Sequence, residues 1–142
     1  MLKTKAYSNW KVNLKISELA TNTQIPTKTI RYYEQVGLLS PPLRSDNGYR
    51  HYQSKDIETL VFIRRCRELN ISIDDIKQLV DVQKNPKASC ALVDNIIAEQ
   101  LARIQQTQRE LAMLEQSLAT LATCCNHQQI EDCSILHSLK SA

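Results

Sequence analysis

Long apolar runs are missing from this 142-residue chain. No stretch reaches the roughly 18 to 20 uninterrupted apolar residues that a bilayer crossing needs, and the opening MLKTKAYSNWKVN lacks the apolar core of a signal peptide. A membrane role is not expected, and the expected location is the cytoplasm. Glycine is nearly absent, with only Gly37 and Gly48. Proline and glycine are both missing from Cys90 to Ala122, which removes the usual helix breakers from that segment. There is no CxxC motif and no alternation of strands and helices of the thioredoxin kind, so a thiol redox enzyme has little to stand on. The length admits one ordinary domain, or a small domain with an oligomerisation element, which favours a binding protein over a large enzyme.

What is present divides unevenly along the chain. Residues 1–79 carry 13 Lys and Arg against 8 Asp and Glu, while residues 80–142 carry 5 against 7. A basic first half suits a polyanion. Cysteine shows the opposite bias, since four of the five lie in the last 53 residues. In a reducing compartment that clustering points to metal or redox chemistry rather than to a disulfide framework.

Residues 1–13 show no sustained periodicity and read as an N-terminal extension. From Leu14 onward, Ile16, Leu19 and Ala20 share a helical face, TNTQIP interrupts the pattern, and a second helix carries Ile30, Tyr33 and Val36. Gly37 is expected as its left-handed C-cap, with Leu38 packing behind. Ser40-Pro41-Pro42 enforces extended backbone, and Asp46-Asn47-Gly48 is expected to supply the positive-φ residues of a tight hairpin before YRHY, making a small wing. Ser54 is the expected cap of a third helix with Ile57, Leu60, Val61 and Ile63 inside, and Ser72 that of a fourth with Ile73, Ile76, Leu79 and Val80. VQKNPKAS then breaks the pattern as a linker.

From about Cys90 to Ala122, Ile97, Ile104, Leu111 and Leu118 recur every seven residues, flanked by Leu101, Leu114 and Leu121. Gln100, Thr107, Gln108 and Glu115 also fall near that seam, so a regular parallel zipper is not expected. A helix of about 33 residues at ~1.5 Å rise spans about 50 Å, more than so small a domain can cover. Dimerisation is the expected use, with packing on its own domain as the alternative.

A helix, a turn, a basic helix with paired tyrosines and a wing holding Arg, Asn and Tyr together form a DNA-reading unit, since each part supplies donors for phosphates or base edges. The runs KISELA, TKTIRYYEQVGLL, R-x-x-NGYRHY and FIRRCRELNIS resemble the N-terminal domain of the MerR family over residues 14 to about 80. The resemblance implies a winged helix-turn-helix domain at 14–83, a linker at 84–89, a long antiparallel coiled-coil dimerisation helix at 90–122, and a metal-binding loop with a short helix at 123–142. The fold class is thus mostly α. It also implies that Lys28, Thr29, Arg31 and Tyr33 face the major groove and its phosphates, with Arg44, Asn47, Tyr49, Arg50 and Tyr52 as wing contacts. Arg31 is the first candidate for base-edge recognition. Core packing of one ring is the alternative for Tyr32 and Tyr33. For Arg64, Arg65 and Arg67 a solvated face is weighed against phosphate contact, and Cys66 reads as a packed thiol.

The tail TCCNHQQIEDC places Cys124, Cys125, His127 and Cys133 within ten residues. Thiolate and imidazole suit Zn²⁺ and its softer relatives Cd²⁺, Pb²⁺ and Hg²⁺. Cys90 lies at the other end of the long helix, too far to share an ion with Cys124 of its own chain. In an antiparallel pair it arrives beside the partner's loop. The pattern resembles the zinc- and cadmium/lead-responsive branch of the family, which implies Cys90, Cys124 and Cys133 as ligands to a divalent effector (Cd²⁺, Pb²⁺ or Zn²⁺), with Cys125 and His127 as further candidates. His51 and His137 read as peripheral. The implied function is a homodimeric regulator on double-stranded DNA within a promoter, repressing without metal and activating by DNA distortion, with RNA polymerase as an indirect partner and no enzymatic activity. A thiol redox-sensing regulator using Cys124 and Cys125 is the alternative.

Overall fold

The structure is a computed structural model that describes residues 13–124 and 128–141. It consists of two units, residues 1–96 and residues 97–142.

The first unit begins with helices α1 (Ile16–Thr23) and α2 (Thr27–Gln35), a hairpin of β1 (Leu43–Arg44) and β2 (Arg50–His51), and helices α3 (Ser54–Glu68) and α4 (Ile73–Val82). It ends within the first turns of α5 (Ala91–Thr123). Local chemistry explains most of these boundaries. The Lys15 N–H donates to the Glu18 carboxylate at 2.8 Å and so starts α1. The helix stops at Gln24, which takes φ 57°. At the end of α2 the Leu38 N–H reaches back to the Tyr33 carbonyl at 2.9 Å and the Gly37 N–H to the Glu34 carbonyl at 3.2 Å. Gly37 sits at φ 80°. This is the two-bond Schellman pattern, and it seats Leu38 under the helix as expected. Asn70, at φ 57°, ends α3 with the same pair of bonds, Ile71 N–H to Cys66 and Asn70 N–H to Arg67.

The Ser72 hydroxyl accepts from the Asp75 N–H at 3.1 Å and caps α4 as expected. The third helix differs from expectation. Its N-cap is Gln53, whose backbone N–H is held by the Asp56 carboxylate at 2.7 Å, and Ser54 is already the first helical residue. An acid three residues into a helix satisfies an N-terminal donor as well as a serine cap does, and here it shifts the start by one position.

The hairpin pairs Leu43 with His51 and Arg44 with Arg50. Its turn also departs from expectation: Gly48, at φ 78°, is left-handed, while neither Asp46 nor Asn47 takes positive φ. The Gly48 N–H donates to the Ser45 carbonyl at 2.8 Å, and the Ser45 N–H to the Tyr49 carbonyl at 3.0 Å. One left-handed residue after an ordinary turn closes the loop, so only the glycine is required there. Leu14 pairs antiparallel with Tyr52 through two backbone bonds of 3.0 and 2.9 Å, which ties the chain ahead of α1 to the base of the wing. The core gathers Leu19, Ile30, Leu39, Leu60, Ile63 and Ile76, and it also takes in the whole Tyr52 ring.

In the second unit α5 runs on to Thr123, followed by a 3₁₀ turn (Ile130–Asp132) and α6 (Ser134–Lys140). None of the described residues of this unit is buried. Ile97, Leu101, Ile104, Leu111, Leu114 and Leu118 are all exposed.

Candidate functional site

The two faces of α2 divide at its paired tyrosines. Ile30 and Tyr33, three residues apart, point into the core, and Lys28, Arg31, Tyr32 and Gln35 form the outer stripe. Tyr33 is 7% exposed and Tyr32 47%. Burial pushes the Tyr33 hydroxyl above its ordinary range, with Arg67 pulling the other way. The expectation that Tyr33 faces DNA is therefore corrected: the ring beside Arg31 that is open to a ligand belongs to Tyr32. Lys28 and Arg31 are exposed, and Thr29 is half-buried at the first turn.

In the wing, Arg44, Asn47 and Tyr49 are exposed. Tyr52 is fully buried, and its hydroxyl donates to the Glu34 carboxylate on α2. Burial first, and then that bond, push the hydroxyl far above its ordinary range, so it remains a proton donor at any physiological pH. Tyr52 as a direct DNA contact is thus also corrected, because its ring belongs to the core. Alternation along β2 explains both facts: Arg50 and Tyr52, two residues apart, share the face toward α2, and both meet Glu34. That period of two was legible in YRHY. Its direction was not.

Two clefts result. One of about 800 Å³ is lined by Lys15, Ser17, Arg31, Asn47, Tyr49 and Arg50 among others, and no carboxylate of the described residues borders it. Three cationic side chains and the adjoining amide and hydroxyl groups suit a nucleic-acid backbone. Lys15 and Ser17 were not among the sequence candidates, although their place at the start of α1 follows from the first apolar residue of that helix. A second cleft of about 440 Å³ lies between Arg31, Arg44 and Arg50, with Glu34 in its wall.

Arg64 has a third role, distinct from solvation or phosphate contact. Its guanidinium donates to the Thr23 carbonyl at 2.9 Å and to the Gln24 side-chain oxygen at 3.0 Å, and so caps α1 from α3. Glu68 stands 3.6 Å away on the same helix. Replacing Arg64 with Ala leaves a helix-end carbonyl without its partner and is expected to cost about 1–2 kcal/mol, read as a fall of about 5–10 °C in Tm for a domain this small. A melting curve unchanged within 1–2 °C would contradict this role. Cys66 is a packed thiol, buried at 6% exposure and pushed up by burial, which makes it a poor nucleophile or ligand.

The cysteines expected to hold metal sit at the two ends of α5. Cys90 is exposed immediately before the helix, and its carbonyl accepts from the Asp94 N–H at 2.9 Å. Cys124 is exposed immediately after it, with its thiol on the Thr120 carbonyl at 3.1 Å. Cys133 is half-buried at the start of α6, and its carbonyl accepts from the His137 N–H at 3.1 Å. The His137 ring nitrogen Nε2 lies 3.0 Å from the Glu131 carbonyl and joins the 3₁₀ turn to α6. Cys125 and His127 lie outside the described residues. Among the described residues of one chain, no three His, Cys, Asp or Glu side chains gather where they could hold an ion. The donor set is nevertheless chemically apt, since none of the described cysteines is in a disulfide and thiolates favour soft and borderline divalent ions. Among the described residues no helix is long and apolar enough to cross a membrane.

Comparison with known proteins adds to this geometry. A family model described as MerR HTH family regulatory protein matches residues 14–83, and another described as MerR, DNA binding matches residues 57–121. Over 127 residues the chain is 35% identical to the HTH-type transcriptional regulator CueR of Vibrio cholerae, covering 89% of this chain and 91% of the relative. Among solved structures it is similar to the transcription regulator PbrR691 from Ralstonia metallidurans CH34 in complex with lead(II), with a TM-score of 0.82, 33% identity and coverage of 89% of this chain and 98% of that one. It is also similar to MerR from Bacillus megaterium MB1 in complex with mercury(II), with a TM-score of 0.69, 29% identity and coverage of 90% and 100%.

Proposed function

Because this chain belongs to the MerR family of helix-turn-helix transcription regulators, we propose that it acts as a homodimer that represses a promoter without metal and activates it by distorting the DNA when it binds a divalent ion. We divide it accordingly into a DNA-binding domain at 14–83, a linker at 84–89, a dimerisation helix at 90–122 and a metal loop with a short helix at 123–142. The observation that carries the reading is the placement of cysteines at both ends of a 33-residue helix whose apolar seam is open along its length. An antiparallel partner would cover the seam and bring Cys90 of one protomer to Cys124 and Cys133 of the other.

The lead and mercury complexes of the two structural relatives support a soft-metal effector for this chain. Lys28, Thr29, Arg31, Arg44, Asn47, Tyr49 and Arg50 are the proposed DNA contacts, joined by Tyr32, Lys15 and Ser17. Cys125 and His127 are proposed as additional ligands. The relatives are named as transcription regulators, and this chain is read as acting through binding alone. A ligand indifferent to two dimer arrangements shifts neither, so the ion must bind one of them better. A site shared between subunits supplies that difference, because its ligand distances change with subunit geometry.

The test is transcription from the promoter that the chain binds, measured against a panel of Cd²⁺, Pb²⁺, Zn²⁺ and Mg²⁺. Activation by one or more of the first three and none by Mg²⁺ is expected. Activation of metal-free protein by peroxide would instead favour thiol redox sensing by Cys124 and Cys125, and activation by a monovalent metal ion alone would overturn the divalent assignment.

A further inference from the structure

One carboxylate stands in the wall of an otherwise cationic cleft. Glu34 lies one helical turn after Arg31 on α2, its side chain only 10% exposed, with Arg44 and Arg50 across the cleft on the wing. One carboxylate oxygen accepts the buried Tyr52 hydroxyl. The other lies 3.8 Å from Nε of Arg50, beyond hydrogen-bond reach, and that Nε is buried with no hydrogen-bond partner. The rest of the Arg50 side chain keeps solvent access, at 35% exposure overall. A buried, unsatisfied guanidinium N–H costs free energy, and closing by less than 1 Å would turn the ion pair into a charge-assisted hydrogen bond.

We propose that Glu34 is a positioning residue for DNA recognition, gripping Tyr52 with one oxygen and Arg50 with the other so that the wing is set against the recognition helix and the outer nitrogens of Arg50 meet a DNA phosphodiester. This rests on the reading that the α2 and wing face binds DNA. An acid at such a position weakens attraction to DNA in general, since it removes one positive charge from the cleft. It raises specificity, because Arg50 then engages a phosphate only where helix and wing sit in the correct register. Glu34 itself need touch no nucleotide.

The test begins with duplexes selected by the wild-type chain from a random-sequence pool, each paired with a scrambled duplex and measured at one salt concentration. Failure of the wild type to select any duplex would sink the DNA reading as a whole. If selection succeeds, Glu34→Gln is expected to weaken the selected duplex by about tenfold while leaving the scrambled one unchanged or up to about threefold tighter. Tyr52→Phe, which keeps every charge, is expected to lower the ratio of selected to scrambled affinity by about threefold, so the readout survives if Glu34→Gln does not fold. Arg50→Ala is expected to cost about thirtyfold on the selected duplex, and adding Glu34→Gln to it should cost nothing further, because both changes remove one coupled unit. A ratio held within twofold in Glu34→Gln and Tyr52→Phe, or losses that multiply in the double variant, would overturn the proposal.

Discussion

Leu111→Asp is expected to turn the proposed dimer into a monomer and to weaken binding to its proposed operator by more than about 100-fold at nanomolar protein. Leu111 is 60% exposed near the middle of α5, in line with Ile97, Ile104 and Leu118 at intervals of seven. In an antiparallel pair that sets Cys90 against the partner's Cys124, Leu111 faces the stretch around Ile104 of the other chain, so one substitution puts a carboxylate into each of two symmetry-related apolar contacts. Burying the six open apolar side chains of each seam gives on the order of 1.5–3 kcal/mol for each side chain fully covered. Over both chains, and counting only the roughly half of each side chain still open, that comes to about 10–20 kcal/mol against an association cost of roughly 4–15 kcal/mol, so the proposed dimer is favoured only while the seam stays apolar. Two unpaired buried charges reverse that balance. Loss of the dimer also halves the DNA contact, since each half-site is then bound alone. Sedimentation equilibrium reads the mass and gel retention the affinity, with Leu111→Met as the volume-conserving control. An unchanged dimer mass for Leu111→Asp would mean that the seam is not the interface.

Cys90→Ser is expected to abolish the response to divalent metal, with apparent metal affinity falling by more than about 100-fold, while metal-free DNA binding stays intact. Serine replaces a soft thiolate with a hard, protonated hydroxyl at almost the same volume, so packing at the start of α5 is preserved and only donor chemistry changes. The geometry allows a sharper form of the experiment. A mixed dimer of one Cys90→Ser chain and one Cys124→Ser chain keeps one complete site if ligands come from both subunits, because the intact Cys90 then faces the intact Cys124. If each chain held its own ion, both sites would be broken. Tandem purification of the mixed dimer, followed by metal titration, is expected to recover binding at half the wild-type stoichiometry. A mixed dimer as inert as either parent, or a Cys90→Ser homodimer that responds normally, would remove the cross-subunit site.

Features that depend on neighbours in the chain are legible in the sequence. Gly37 closes a Schellman motif because a left-handed residue after α2 costs least at a glycine. Ser72 caps α4 through a donor three residues away. The seven-residue spacing along α5 declares a long helix with one apolar seam, and the resemblance of the 14–80 segment carried the winged architecture with it. Local chemistry is ambiguous where two solutions compete, as at Gln53 with Asp56 against Ser54, or at Asp46-Asn47-Gly48, where the turn needs only one left-handed residue.

Cysteines at the two ends of α5 are plain in the sequence, and so is the apolar seam between them; that the first unit leaves an outer stripe of Lys28, Arg31 and Tyr32 on α2 is not. Tyrosine is amphipathic, so composition alone does not say which ring of a Tyr-Tyr pair enters a core. The packing of α2 against its neighbours sets that phase, sending Tyr33 inward and Tyr32 outward. The same holds for Tyr52, for Glu34 as the carboxylate that meets it, and for Arg64 reaching Thr23 across 41 positions of sequence. Short-range spacing determined the elements and the chemical character of both candidate sites. Only tertiary packing decided which side chains line them, because contacts between residues far apart in the chain are made only when separate elements are brought face to face.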